Sequence, residues 1–269
     1  MHLSPSFTHL IRKNRFESFV RQTTLTKQKE FNVYKQILTV AAGMVIGMAG
    51  VVSANGDKAT KFSIRVENVT KPDAFTASNG VKWSLAFSPG TAIVHTENAP
   101  IFTSGQKDRA LGLEAQSEDG DPSKLAAALK SVKGVKSVAL YNTPVGAKGP
   151  GPITPGAAYE TTIAAMPGDK LSMTLMMGQS NDWFYAPAEA GIELFKDGKA
   201  ISGDISSQIM LWNAGTEVDQ EAGIGSDQGP RQKAANTGMA ENGVVRLVQD
   251  AKAYATGANV LRVTITPMM

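Results

Sequence analysis

Apolar and polar residues alternate with a period of two in several short runs beyond residue 60. In Lys61–Val69 (KFSIRVENV), Phe62, Ile64 and Val66 share one face, as a half-buried strand requires. Val81–Phe87 reads as a second strand, ended by the turn signal Ser88-Pro89-Gly90. Val94–Phe102 contains His95 and Pro100 and reads as loop or edge strand. Ser137–Tyr141 reads as a short strand. Ala158–Ala165 and Lys170–Met177 read as a hairpin through Pro167-Gly168-Asp169. In the second of these, Met173, Leu175 and Met177 make an apolar face suited to a core rather than to copper. Ile192–Phe195 and Lys199–Ile201 flank the turn pair Asp197-Gly198, and Gly243–Val248 and Val260–Thr266 close the pattern. Helical spacing is confined to Asp121–Val132, where Asp121 can cap, Pro122 suits the first turn, and Leu125 and Leu129 share a face. The pattern predicts an all-β fold, an antiparallel β-sandwich of about eight strands with one short helix.

The start of the chain follows a different rule. Lys35 precedes an apolar run, Ile37–Ala54, that ends in the small residues Ser53-Ala54. A basic flank, an apolar centre and a small-residue end predict a secretory signal segment ahead of the sandwich; the competing reading is a membrane anchor of about the minimum spanning length. The expected domain boundaries are 1–54 for the amino-terminal extension and signal, and 55–269 for the sandwich. Amino-terminal sequencing of exported material should therefore return Asn55 first; a start at Met1 or inside the sandwich overturns the assignment.

That boundary changes the charge balance. The whole chain carries 27 Lys/Arg against 24 Asp/Glu, but residues 1–54 hold seven of the former and two of the latter. The remainder has 20 basic and 22 acidic residues, a net charge of −2, so no basic face remains to neutralise phosphates and a nucleic-acid partner is not expected. Once the signal is removed, no stable membrane span is expected either.

Most catalytic chemistry is excluded by what the sequence lacks. Cysteine is absent, which removes thiol nucleophiles, disulfides and thiolate zinc sites. Of three histidines, His2 and His9 fall in the signal region, which leaves His95 alone. One imidazole is too few for a histidine zinc site, and a lone histidine is more often structural than catalytic. No serine sits in a G-x-S-x-G elbow, and no glycine-rich phosphate loop joins a strand to a helix. Carboxylate pairs occur at Glu118/Asp119 and Glu217/Asp219, without anything that marks a glycosidic acid and nucleophile. An enzyme is not expected.

The richest chemistry lies between Ser180 and Gly225. Asn181-Asp182 precede Trp183-Phe184-Tyr185, and Asn213, Thr216, Glu217 and Asp219 follow Leu211-Trp212. Two of the three tryptophans thus touch acidic turns, and both are expected to be buried, tying those loops to the core. Oxygen donors without histidine or cysteine suit a hard cation, and calcium tolerates irregular loops of carboxylates, amides and carbonyls. Asp182, Asn213 and Glu217 would supply two negative charges and one amide oxygen. The bland alternative is a polar turn with a solvated Glu217.

These segments carry a resemblance. SNDWF, LFKDGKAI, LWNAGTEVDQEAGIGSDQGPRQ and the upstream GLEAQSEDGDPSKLAAAL are similar to the bacterial branch of the spondin amino-terminal domain family, over nearly all of residues 60–269. The resemblance implies a secreted β-sandwich, topologically like calcium-dependent lipid-binding domains, with bound calcium and an adhesive role. Asp182 of DWF and Asn213 and Glu217 of NAGTE fall at the family's ligand positions. Asn213 departs from the aspartate usual there, with one negative charge fewer. The chain also lacks the cysteines and thrombospondin-type repeats of the animal proteins, so their partners do not carry over. The expected function is a secreted, non-enzymatic, calcium-binding adhesion or ligand-binding module, with an extracellular protein or glycan as partner. The alternative is a carbohydrate-binding sandwich that stacks sugar on an exposed Trp83, Trp183 or Trp212.

Overall fold

The computed structural model describes residues 58–248 and 257–268. They belong to one unit that runs from Val51 to Met269. The expected signal segment and the Asn55 boundary lie outside the described residues.

In chain order the strands are β1 (Thr60–Asn68), β2 (Phe75–Thr76), β3 (Lys82–Trp83), β4 (Phe87–His95), β5 (Val135–Tyr141), β6 (Ala158–Ala165), β7 (Lys170–Met177) and β8 (Trp183–Ala186). They continue as β9 (Ile192–Glu193), β10 (Phe195–Lys196), β11 (Lys199–Ala200), β12 (Gly203–Asp204), β13 (Met210–Asn213), β14 (Arg246–Leu247) and β15 (Leu261–Met268). Eight of these, β1, β4–β8, β13 and β15, have four residues or more, which is the expected sandwich.

The strands form a four-stranded sheet in the order β12-β15-β1-β6 and a larger one in the order β14-β13-β8-β7-β4-β5, with β9 also on β7. Between them sits the main core. Phe62, Ile64 and Val66 of β1, Val263 and Ile265 of β15 and Tyr159 of β6 meet Met173, Leu175 and Met177 of β7 and Val94 of β4. The methionine-rich strand is therefore core, as its pattern predicts.

The other face of the large sheet is buried as well. Helices α1 (Leu113–Glu118) and α2 (Ser123–Leu129) bring Leu113, Leu125 and Leu129 onto Ile93, Phe184, Ala186 and Trp212. Helix α2 occupies the centre of the predicted Asp121–Val132 span, and Asp121 accepts the Ser123 N–H at 2.9 Å, which satisfies one of its free donors. Helix α1 is additional to the single expected helix. At six residues it is too short for an apolar period to show.

Two connections differ from expectation for physical reasons. Ser88-Pro89-Gly90 does not end a strand; it forms a bulge within β4, between the pairs Phe87↔Met177 and Gly90↔Leu175. The Ser88 hydroxyl accepts the Met176 N–H at 2.9 Å, so the ladder is bridged by a side chain beside a proline that has no N–H to give. Tyr141 lies over Gly90, where a Cβ would stand 2.5 Å from its ring, and its hydroxyl donates to the Thr174 carbonyl. Tyr141→Phe should cost about 1–2 kcal/mol in urea unfolding, because it strips that buried carbonyl of a donor. A loss below a few tenths of a kcal/mol counts against this account of the bulge.

The second difference concerns β6 and β7, which do not pair with each other. β6 lies on β1 and β7 on β4, so residues 166–169 carry the chain from one sheet to the other. Buried Asp169 fastens this corner. It accepts the Met166 N–H at 2.8 Å and pairs with Lys136 across it. The Asp197-Gly198 turn does form the expected hairpin, β10 with β11, with φ of +51° and +73° as a tight two-residue turn needs.

Candidate functional site

β8 and β13 pair antiparallel, with Trp183 opposite Asn213. The residues just before β8 and those at the end of β13 are thus placed at the same end of the large sheet. The Ala214 N–H donates to the Asp182 carbonyl at 3.0 Å, closing the strands there. Gly215 then turns the chain with φ +74°. A Cβ at that position would meet the Val244 and Gly243 backbone at 2.6–2.8 Å, so the turn requires glycine.

Asp182 is fully buried. Its Oδ2 accepts the N–H groups of Thr216 at 2.9 Å and Glu217 at 3.2 Å, while its buried Oδ1 has no hydrogen-bond donor. Burial pushes its carboxyl up to about 7. The two backbone N–H groups act in the opposite direction, and Asp219 and Glu241 add to the rise. Glu217 is also buried and takes a bond from the Asn181 amide at 3.1 Å; burial pushes its carboxyl above the usual range.

Asn213 plays a different part. Its Oδ1 accepts the Gly215 N–H and its Nδ2 donates to Asp219 at 2.9 Å, so it shapes the loop. Asp219 also receives the Trp183 indole N–H at 2.6 Å and faces Arg246 at 3.3 Å, which balances its charge. The structure therefore sets the Asp182 carboxylate against the backbone of Thr216 and Glu217, while the Glu217 carboxylate is bonded to Asn181 and the Asn213 amide is engaged on both sides.

A fourth residue joins them from the sequence-distant helix α1. Glu118 is 2% exposed and neither carboxylate oxygen has a hydrogen bond of ordinary geometry. Burial pushes it up to about 8. The neighbouring Thr216 hydroxyl lowers it, and Glu217, Glu114 and Asp182 raise it. The same hydroxyl lies 3.4 Å from Asp182 Oδ2, so Thr216 stands between the two carboxyls. Glu118 is visible in the sequence as half of the Glu118/Asp119 pair, but nothing local joins it to Asp182.

Among the described residues, no three His, Asp or Glu side chains converge tightly enough to cage a metal by themselves. The chemistry of the donors nonetheless fits a hard cation. Asp182 Oδ1 and the Glu118 oxygens are buried carboxyl acceptors without donors, and the Thr216 hydroxyl lies beside them.

The other sequence candidates are settled by burial. Trp212 is 4% exposed and Trp83 is 8% exposed, which removes both as open sugar-stacking platforms. Trp183 is only partly buried, contrary to expectation, because it opens the strand at the sheet end while its indole N–H holds Asp219. His95 is fully buried, with Nδ1 at 2.6 Å from the Glu97 carbonyl and Nε2 at 2.9 Å from the Ser172 hydroxyl. Nε2 thus ties β4 to β7 while Nδ1 fixes the turn that follows β4, and burial lowers its pKa. No helix among the described residues is long and apolar enough to cross a membrane.

Comparison with known proteins found no matching family model and no matching curated protein.

Proposed function

We propose that this chain is a secreted, spondin-type binding or adhesion module without enzymatic activity, which holds a calcium ion beside Asp182, Glu217 and Asn213, with Glu118 added to the donor set. The observation that carries the reading is Asp182. A fully buried carboxylate with one oxygen lacking any donor costs several kcal/mol unless it is protonated or meets a cation. Three more features support it. Glu118 has the same difficulty a short distance away. The nearby arginine, Arg246, faces Asp219 and Glu241 instead. The motif likeness, read from the sequence, implies ligand positions at Asp182, Asn213 and Glu217.

Calcium would supply positive charge and a demand for several oxygens. The chain's own residues then do the rest: the Thr216 and Glu217 N–H groups orient the Asp182 carboxylate, and Gly215 with Asn213 sets the loop. With its core and the Trp83 and Trp212 rings closed, the module would act through its surface. The buried Trp83 and Trp212 weigh against the sugar-stacking alternative. Titration of the full-length chain with calcium chloride in a calorimeter tests the reading. One saturable site, lost in Asp182→Asn, is the expected result; no binding heat at millimolar calcium overturns it.

A further inference from the structure

The bulge in β4 leaves a hollow in the large sheet. The register passes from Phe87↔Met177 to Gly90↔Leu175, so Met176 pairs with Phe184 on β8 and has no cross-strand partner on β4. A cleft of about 310 Å³ lies there, lined by the buried Met176 and by Pro89, Pro152 and Pro230. Proline has no N–H, so these three residues bring apolar rings and no backbone donor. Gly178 and Gly229 also line the cleft. They adjoin one another, since a Cβ on Gly229 would stand 3.3 Å from the Gly178 carbonyl oxygen and 3.7 Å from Met176 Cε. The space is open partly because two neighbouring positions have no side chain to fill it.

The walls are held by the chain's own bonds. The Gln116 amide donates to the Ser88 hydroxyl at 3.1 Å and to the Pro89 carbonyl at 3.0 Å, which fixes the bulge. Phe87 and Ile153 exchange both backbone bonds at 3.0 Å, which pins Pro152. The buried Gln228 gives its amide to the Glu221 carbonyl at 2.7 Å, directly before Gly229-Pro230. A cleft formed in advance leaves a ligand little ordering cost to meet.

The lining holds a single charged residue, Asp119. Its Oδ1 takes the Gln232 amide at 3.2 Å and the Asn236 N–H at 3.0 Å, both neutral donors. Among the described residues, no lysine or arginine forms an ion pair with it. The cleft thus offers apolar rings, a thioether and one negative charge that no cation of the chain balances.

We propose that this cleft binds a small aromatic amine, with its ring against Met176 and the prolines and its ammonium group at Asp119. The inference goes beyond the calcium reading and does not depend on it. The volume is at the small end of ligand pockets, which suits one or two rings with a short tail. The methionine sulfur favours a ring over an aliphatic chain, through sulfur–aromatic contact. The carboxylate selects the tail, because it attracts an ammonium group and repels an acid.

Three probes that share an indole ring and differ in charge test this: tryptamine, 3-methylindole and indole-3-acetate. Each is titrated into the full-length chain by calorimetry, in EGTA so that ion binding does not enter. Tryptamine should bind at one saturable site, about tenfold or more tightly than 3-methylindole, as a charge-assisted hydrogen bond provides. Indole-3-acetate should bind weakest of the three. Gly229→Leu, at a position whose φ lies outside the left-handed region, puts a side chain into the cleft. It should abolish tryptamine binding and keep the circular dichroism spectrum of the parent. Asp119→Asn keeps an acceptor for Gln232 and Asn236 and removes the charge, so tryptamine should fall to the level of 3-methylindole. It carries the test alone if Gly229→Leu does not fold. Equal affinity for the three probes overturns the proposal. So does undiminished tryptamine binding in either folded variant, or no saturable heat at millimolar tryptamine. None of these results bears on calcium, which is measured separately without EGTA.

Discussion

Trp212→Ala should destabilise the protein by about 3–5 kcal/mol, the range for deleting a large buried ring and leaving a cavity. Trp212 occupies the layer between the large sheet and the helices. Its ring centroid is 4.7 Å from that of Phe102, which in turn meets Phe184 edge-on at 5.4 Å. Phe184 is also the cross-strand partner of Trp212 on β8. Its indole N–H donates to the Ala186 carbonyl at 3.2 Å, so truncation also leaves a buried acceptor without its donor. Neighbouring Leu113 and Ile93 cannot close a space of that size, because each is held by its own element. Trp183→Ala should cost clearly less, since part of that ring is already in water. Urea unfolding followed by circular dichroism measures both. A loss below about 1 kcal/mol for Trp212, or a larger loss for Trp183 than for Trp212, would show that the rings are packed the other way round.

The alternating strands were legible because each has one face toward a neighbour and one toward water. Phe62, Ile64 and Val66 in β1 and the run in β15 are such cases, and the structure places them as expected. β4 was illegible for the opposite reason. It is buried on both faces, its burial is nearly continuous from Phe87 to His95, and Ser88-Pro89-Gly90 supplies turn residues to a bulge instead of a turn. A hairpin for β6 and β7 was the natural local reading, yet a four-residue corner between sheets has the same glycine and proline content. Asp169, the residue that distinguishes the two, acts through Lys136 from another strand.

The acidic site was half legible. Asp182 and Asn213 sit beside apolar strand ends, which pairing of β8 with β13 puts at one end of the sheet, and the turn after β13 brings the Glu217 N–H onto Asp182. Glu118 is brought in by the packing of α1 on the sheet, which no spacing in the sequence encodes. The polar end of the site thus depends on the same layer of helix on sheet that Trp212 helps to fill.

Calcium should raise the melting temperature more at pH 8 than at pH 5. Asp182 and Glu118 have folded-state pKa values of about 7 and about 8, raised above ordinary values of 3.8 and 4.5 chiefly by burial. Between pH 4 and pH 8 the folded chain therefore retains protons that the unfolded chain has released. Where the folded state binds more protons, stability falls as pH rises. For Asp182 alone, the displacement to about 7 corresponds to ~4 kcal/mol against the buried anion, an order-of-magnitude figure. Without a cation, the site is thus easiest to keep folded near pH 5, with both carboxyls protonated, and is progressively strained toward pH 8. A calcium ion held as proposed would need the ionised form, so it would have to displace protons at pH 5 and would find the carboxylates ready at pH 8. At one hundred times its dissociation constant it adds about 2.7 kcal/mol, or about 5–10 °C for a domain of this size. His95 works in the other direction, because burial lowers its pKa and its protonation below about pH 6.5 favours unfolding. That contribution is present with and without calcium and cancels in the difference between calcium and EGTA. Differential scanning calorimetry at pH 5, 6.5 and 8 should show the calcium-minus-EGTA shift growing with pH. Asp182→Asn, which keeps the side chain's shape and removes its charge, should flatten the series. A calcium shift of equal size at pH 5 and pH 8, or one that survives in Asp182→Asn, would mean that the ion binds elsewhere than at these buried carboxylates.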